Sequence, residues 1–236
     1  MVRLNKYLAE CGVCSRREAD KYIEQGRVKV NGKTAVSGMQ VSDEDCVEVN
    51  GKSIRRVEKK VVLAYHKPIG VTCTEKDKFA QKTITQALNY PVRLTYAGRL
   101  DKDSTGLIIM TNDGDLIQRM MKGANRHEKE YTVKVNKEIT SDFLEKMSKG
   151  VYLKELNETT RPCELSQIGK YTFKITITQG LNRQIRRMCA EFGYKVESLR
   201  RDRVVNVELG KLPVGKYREV TGEELQELYK ICGGIK

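Results

Sequence analysis

The sequence has no tryptophan and only two histidines among its 236 residues. The histidines, His66 and His127, stand far apart. Cys11-Gly12-Val13-Cys14 is a lone CxxC; a structural zinc site wants a second such pair, and none occurs, so no metal is expected. The seven cysteines are odd in number and irregular in spacing. That pattern speaks against a disulfide scaffold and fits a reducing cytoplasm. No apolar run approaches the length of about 18 residues that a membrane helix needs. The first residues pass straight into an amphipathic pattern without the apolar core of a secretory signal, so a cytoplasmic location is expected. Neither GxGxxG nor GxGxG occurs between Gly98 and Gly106, which removes the glycine-rich loop that a methyltransferase would use. The His/Cys/Cys cluster of a zinc deaminase is missing too. Acid is scarce against base: 31 Asp and Glu face 44 Lys and Arg, a net charge of +13. Such an excess points to a polyanionic partner. A membrane surface would compete, but no long basic amphipathic segment supports it. The missing tryptophans do not remove stacking surfaces, because eleven tyrosines remain.

What is present divides into a small module and a larger domain. In the first, Leu4, Tyr7, Leu8 and Cys11 share one helical face. Ser15-Arg16-Arg17-Glu18 reads as a capping box that opens a second helix with Ala19, Tyr22 and Ile23 inside and Gly26 past its end. Val28-Lys29-Val30 alternates as a strand, Asn31-Gly32 signals a type I′ turn, and Val47-Glu48-Val49 is a second strand ending at Asn50-Gly51. Residues 1–55 are therefore a small α+β unit. Arg16, Arg17, Lys21, Arg27 and Lys29 gather around its second helix. Cations early in a helix oppose the dipole; a bound phosphate would offset that, and a solvated face is the plainer reading. Residues 56–60 form a charged linker, where a hinge would let the small unit swing.

Residues 61–236 carry more strands than helices, without regular βαβ alternation. Val61 to Tyr65, Arg93 to Ala97, Leu107 to Met110, Lys129 to Val135, Tyr171 to Thr178 and Val204 to Leu209 read as strands. Helices are expected at 83–88, at 141–149, after a turn at Asn112-Asp113-Gly114 with Asp115 as cap, after Asn182 as N-cap, and after a capping box at Thr221. The fold class is α+β, with a largely antiparallel mixed sheet and flanking helices.

Gly98-Arg99-Leu100-Asp101-Lys102-Asp103-Ser104-Thr105-Gly106 is the stretch on which chemistry is expected. Two glycines fence a charged loop between apolar segments, which is how a rigid scaffold displays a reactive group. Arg99 and Lys102 flank Asp101, and a cation beside a carboxylate favours the ionised form. Asp103 is a second candidate, and a salt-bridged polar turn is the plainer reading. A nuclease using Asp101 and Asp103 with magnesium is conceivable on these residues alone. Arg183, Arg186 and Arg187 crowd the helix after residue 182. Arg186 follows the apolar Ile185 and can pair with a carboxylate; the others can reach phosphates or simply make a basic surface. Tyr131, beside basic residues, offers a stacking platform for an unstacked base, or is an ordinary core tyrosine.

Two resemblances sharpen these readings. Arg3-Leu4-Asn5-Lys6-Tyr7-Leu8, Cys14-Ser15-Arg16-Arg17-Glu18-Ala19 and Gly26-Arg27-Val28-Lys29-Val30-Asn31-Gly32 resemble the S4 domain, an RNA-binding module. The Gly98 to Leu107 loop, Lys129-Glu130-Tyr131 and Gln179-Gly180-Leu181-Asn182-Arg183-Gln184-Ile185-Arg186-Arg187-Met188 together resemble the RsuA-type pseudouridine synthases of bacterial ribosomal RNA, with the RluF-like branch the nearest fit. The resemblance implies an S4-like domain joined to a pseudouridine synthase domain and a uridine isomerisation needing no metal or organic cofactor. In it Asp101 is the essential nucleophile or base, Tyr131 stacks on the flipped base and Arg186 pairs with Asp101. Arg99 occupies the space the nucleotide leaves. Arg16, Arg17, Lys21, Arg27, Lys29, Lys102, Arg183 and Arg187 are expected to contact RNA. The implied partner is 23S ribosomal RNA or a large-subunit precursor, ahead of 16S RNA, with the protein a monomer. Asn182-Arg183 departs from members that carry an aromatic residue or histidine there. A non-catalytic RNA-binding assembly factor is the rival that the charge alone would equally allow.

Overall fold

Two central strands are apolar on both faces, and this sets them in the middle of a layered domain. In the computed structural model, which describes residues 1–57, 59–74 and 82–233, Val62–Lys67 and Thr105–Thr111 are antiparallel neighbours. Leu63, Tyr65, Ile108 and Met110 pack to one side with Phe143, Phe173, Ile185 and Met188. Val62, Ala64, Leu107 and Ile109 pack to the other with Leu116, Val207 and Leu228. Burial on both faces explains why Leu107-Ile108-Ile109-Met110 is a continuous apolar run rather than an alternating one.

Among the described residues these strands belong to a nine-stranded sheet. From one edge it runs Glu164–Gly169, Thr172–Ile177, Lys129–Val135, Val196–Val204, Thr105–Thr111, Val62–Lys67 and Tyr217–Glu219, with Thr95–Ala97 and Val207–Glu208 as side branches. Its pairings are antiparallel except one. Val196–Val204 lies parallel to Thr105–Thr111, with Arg200 opposite Thr105 and Arg201 opposite Gly106. This is the α+β, largely antiparallel mixed sheet that the strand count implied.

Several ends differ from expectation. The last valine-rich segment is not a strand from Val204 to Leu209. The long strand is Val196–Val204, and the chain turns at Val205 and Asn206 into Val207–Glu208. Val205 holds a φ of 56°, costly for a β-branched residue, and its N–H is taken by the Glu128 carbonyl. The helix Gly114–Met121 is capped by Asp113, not Asp115: one Asp113 oxygen accepts from the N–H groups of Asp115 and Leu116. The helix Gln184–Glu191 has Arg183, not Asn182, at its N-cap, with φ at 49°. Thr221 makes no side-chain cap for Gly222–Ile231, and the Glu224 carboxylate that would complete the capping box is held by Arg218 at 2.5 and 2.7 Å instead. Tyr171 lies just outside the strand Thr172–Ile177 and is exposed.

The amino-terminal unit follows its local signals closely. Leu4–Glu10 and Arg16–Glu24 are helices, the second with the full Ser15–Glu18 capping box. They pack Leu4, Leu8, Ala19 and Ile23 onto Val28 and Val47 of a small antiparallel sheet. Asn31-Gly32 and Asn50-Gly51 turn with positive φ at both residues of each pair, as type I′ geometry demands. In the linker, Glu58 lies outside the described residues. Arg56 bonds to Glu10 and Asp43 of the small unit, while the Lys59 carbonyl accepts from Asn112 of the large one. Lys6 adds a contact to Asp115 at 2.6 Å.

Candidate active site

The Gly98–Gly106 loop is held from three sides. The Leu100 N–H points at the Cys73 Sγ, 3.4 Å away. The Lys102 carbonyl accepts from Gly70, and the Thr105 hydroxyl donates to the Lys67 carbonyl at 2.7 Å. Lys67 itself is fully buried, its ammonium donating to the Pro68 and Val71 carbonyls at 2.9 Å. The loop closes on Gly106, whose missing side chain leaves room for the Arg201 backbone.

The loop forms one wall of a cavity of about 630 Å³. Asp101, Tyr131, Lys129, Leu199, Arg201 and the Ile177 to Ile185 stretch complete it. Asp101 lies at this wall with about a third of its side chain exposed. Tyr131 is only 7% exposed and borders the cavity while packing into the core, so it is a core tyrosine with one side on the cleft. Arg99 and Lys102 are exposed on the loop.

The arginines sort differently from expectation. Arg186 does not pair with Asp101: its guanidinium reaches the carbonyl and carboxylate of Asp103 at 3.1 and 3.3 Å, and the Val196 carbonyl at 3.2 Å. Arg183 makes the contact with Asp101, at 3.5 Å, and grips both oxygens of Asp103 at 3.2 and 2.9 Å. Arg183, whose backbone is left-handed, thus lies against the loop and is taken up by its carboxylates. Hydrogen bonding to Arg183 holds the Asp103 carboxyl below the usual range. Arg187 is taken up by Glu155 and by the carbonyl and side chain of Asn182. Arg16, Arg17, Lys21, Arg27 and Lys29 are all exposed on the small unit; Arg27 stacks over Tyr22 at 4.0 Å and bonds to Asn50.

Lys129, seen in the sequence only as part of the tyrosine motif, and Arg201 are cleft residues to which the sequence reading gave no role. Arg201 is 2% exposed. The signal was there: two residues beyond Leu199 on one strand, it shares the inward face. No group of His, Cys, Asp or Glu able to hold a metal occurs among the described residues. No described helix is long and apolar enough to cross a membrane.

Residues 61–191 match the family described as RNA pseudouridylate synthase, and residues 2–47 match the S4 domain. The chain belongs to the RNA pseudouridylate synthase family. It is an RNA-modifying isomerase with an S4 unit at its amino-terminal end, and its nearest branch is the RluF type. The dual-specificity RNA pseudouridine synthase RluF of Escherichia coli is 48% identical over 232 residues, spanning 98% of this chain and 79% of that one. The ribosomal large subunit pseudouridine synthase B of Bacillus subtilis is 36% identical over 234 residues, spanning 97% and 96%. A crystal structure described as a pseudouridylate synthase superposes with a TM-score of 0.71 at 32% identity, covering 98% of this chain and 100% of that one. The cavity is lined by the loop carboxylate, the cleft tyrosine and the start of the basic helix.

Proposed function

We propose that this pseudouridine synthase isomerises a uridine in 23S ribosomal RNA, acting as a cytoplasmic monomer on the RNA or on a large-subunit precursor. The observation that carries the reading is Asp101: a partly exposed carboxylate on a cleft wall, with Arg183 as its ion-pair partner and Tyr131 bordering the same cavity. Asp101 is the nucleophile or base and Tyr131 the surface on which the flipped base lies. Arg99 enters the gap left in the RNA. Arg186 and Arg183 anchor the loop through Asp103, so the loop holds its shape when the substrate displaces Arg183 from Asp101. Residues 1–55 grip an RNA helix through the exposed Arg16, Arg17, Lys21, Arg27 and Lys29, and residues 61–236 perform the isomerisation. The large-subunit name of the Bacillus subtilis relative supports 23S over 16S RNA.

The test uses unmodified 23S and 16S transcripts with wild type and Asp101→Asn. Pseudouridine is expected in 23S RNA with wild type only, while Asp101→Asn still binds RNA. An active Asp101→Asn removes the catalytic assignment, and conversion of 16S RNA alone moves the substrate.

A further inference from the structure

The floor of the cleft carries more positive charge than its protein partners balance. Lys129 and Tyr131 alternate on one face of Lys129–Val135, and Arg201 lies opposite Tyr131 on the neighbouring strand. Arg201 donates through Nε to the Leu107 carbonyl at 2.7 Å and through one Nη to the Arg99 carbonyl at 3.5 Å. Its other Nη is buried without a hydrogen-bond partner. The Lys129 ammonium reaches only the His127 carbonyl, at 3.4 Å. Among the described residues no acidic side chain forms an ion pair with either. A cation withdrawn from water without a counterion is costly, and this cleft keeps a buried one, Arg201, beside a half-buried one, Lys129.

Resting on the reading of the site as a uridine isomerase, we propose that Lys129 and Arg201 are the electrostatic seat for the detached uracil, held as an anion between bond cleavage and re-attachment. When the N1–C1′ bond breaks, its electron pair stays on N1 and the charge spreads over the O2 and O4 atoms of the ring, while the positive charge left on C1′ is balanced by the Asp101 carboxylate until C5 attacks. C5 then bonds to C1′, C5 loses its proton, and N1 gains one. Between these events the ring is negative and bears carbonyl oxygens able to accept from the Lys129 ammonium and the free Arg201 N–H. Donors fixed before the charge appears act strongly in a water-poor cleft. A backbone phosphate is the other anion in reach; it would bind in the ground state as well, so affinity tells the two apart.

The groups facing Lys129 make the idea testable by pH. Burial pushes Lys129 down to about 8, and Arg201 from the adjacent strand and Arg161 from beyond Glu158–Thr159 push the same way. His127, before it in sequence, is itself lowered by burial, and Tyr131 and Asp101 line the same cavity. The seat is therefore charged below about pH 8 and loses a charge above it. The readout is tritium released from C5 of uridine-labelled 23S transcript, in single turnover, with RNA affinity measured alongside. Lys129→Gln is expected to slow release about 100-fold, the usual effect of deleting one such donor, at unchanged affinity. Lys129→Arg keeps most of the rate. The wild-type kcat/KM profile, which reports the free enzyme, declines through pH 8, and Lys129→Arg moves that decline upward. A melting curve no lower than wild type shows Lys129→Gln folded, since the change removes a desolvated charge.

A Lys129→Gln enzyme within about threefold of wild type overturns the proposal. So does weakened RNA binding with a shallower salt dependence, which means a phosphate contact. A rate that rises through pH 8 with an inactive Lys129→Arg means a neutral amine acting as base, and overturns it too. If wild type converts no uridine in any RNA offered, the isomerase reading falls first. If wild type works, Asp101→Asn does not and Lys129→Gln matches wild type, only the seat falls.

Discussion

Gly106 is the point at which the catalytic loop, the parallel strand pair and the cleft floor meet, so a single methyl group there is a severe probe. A Cβ at this position lies 2.4 Å from both the backbone N and O of Arg201, on a residue whose φ is +113°. The obstruction is backbone, not a flexible side-chain tip. Arg201 cannot step aside, because it is paired with Gly106 on one edge and with Tyr131 on the other. Overpacking of this kind costs about 1–3 kcal/mol, and holding alanine in a glycine-favoured backbone region adds roughly 1–3 kcal/mol. Gly106→Ala is thus expected to lose about 2–6 kcal/mol, or roughly 4–24 °C of melting temperature in a domain of this size. Whatever strand movement relieves the clash shifts Arg201 and Asp101 apart, so activity falls more than stability alone dictates. Thermal melting by circular dichroism and tritium release from labelled RNA read the two effects. Gly114→Ala is the control: that position has open space for a Cβ and no positive φ, so alanine is neutral or slightly stabilising there. A Gly106→Ala protein that melts within about 2 °C of wild type with full activity would refute the close-approach argument.

Two further outcomes follow from the contacts around the site. Asp113→Ala removes both cap bonds of Gly114–Met121 and the acceptor of the Tyr229 hydroxyl at 2.9 Å; a loss of about 1–2 kcal/mol in urea unfolding is expected, with Asp113→Ser recovering most of it, and an unchanged midpoint counts against the cap. Asp103 has a folded pKa lowered by Arg183, so its contribution is complete above the unfolded value of about 4 and fades as pH falls through the lower folded value. Asp103→Asn should therefore be less stable than wild type at about pH 7, with a gap that narrows as the pH falls below about 4; a gap that widens in acid reverses the sign and refutes the assignment.

Short-range signals in the sequence carried most of the fold. The Ser15 capping box, the Asn-Gly turns and the apolar run at 107–110 are chemistry within a few residues, and each formed as read. Two cap readings failed through neighbours: Arg218 drew off the Glu224 carboxylate, and Asp113 took the cap expected of Asp115 while its second oxygen accepts from Tyr229. Val205 misled because valine almost always signals extended chain, whereas here the Glu128 carbonyl, far away in sequence, takes its N–H and Arg203 donates to its carbonyl in a turn. The site divides the same way. Asp101 and Tyr131 were legible as motif members and line one cavity. The exchange of roles between Arg183 and Arg186 was not legible, because it rests on contacts with Asp101 and Asp103, distant in the chain. The pairing of Arg201 with Gly106 has no local trace at all.

That pairing also dictates when the enzyme can come into being. Arg201 and the carbonyl it grips at Leu107 are 94 residues apart in the chain, and such long loops close late and slowly. Val62–Lys67 with Thr105–Thr111, and Lys129–Val135 with Thr172–Ile177, each zip by antiparallel contacts. Val196–Val204 is the seam that sews these two halves together, and the catalytic cleft straddles it. A nascent chain still short of that strand would carry Asp101 with no cavity around it, so the order of synthesis makes the cleft one of the last features to form.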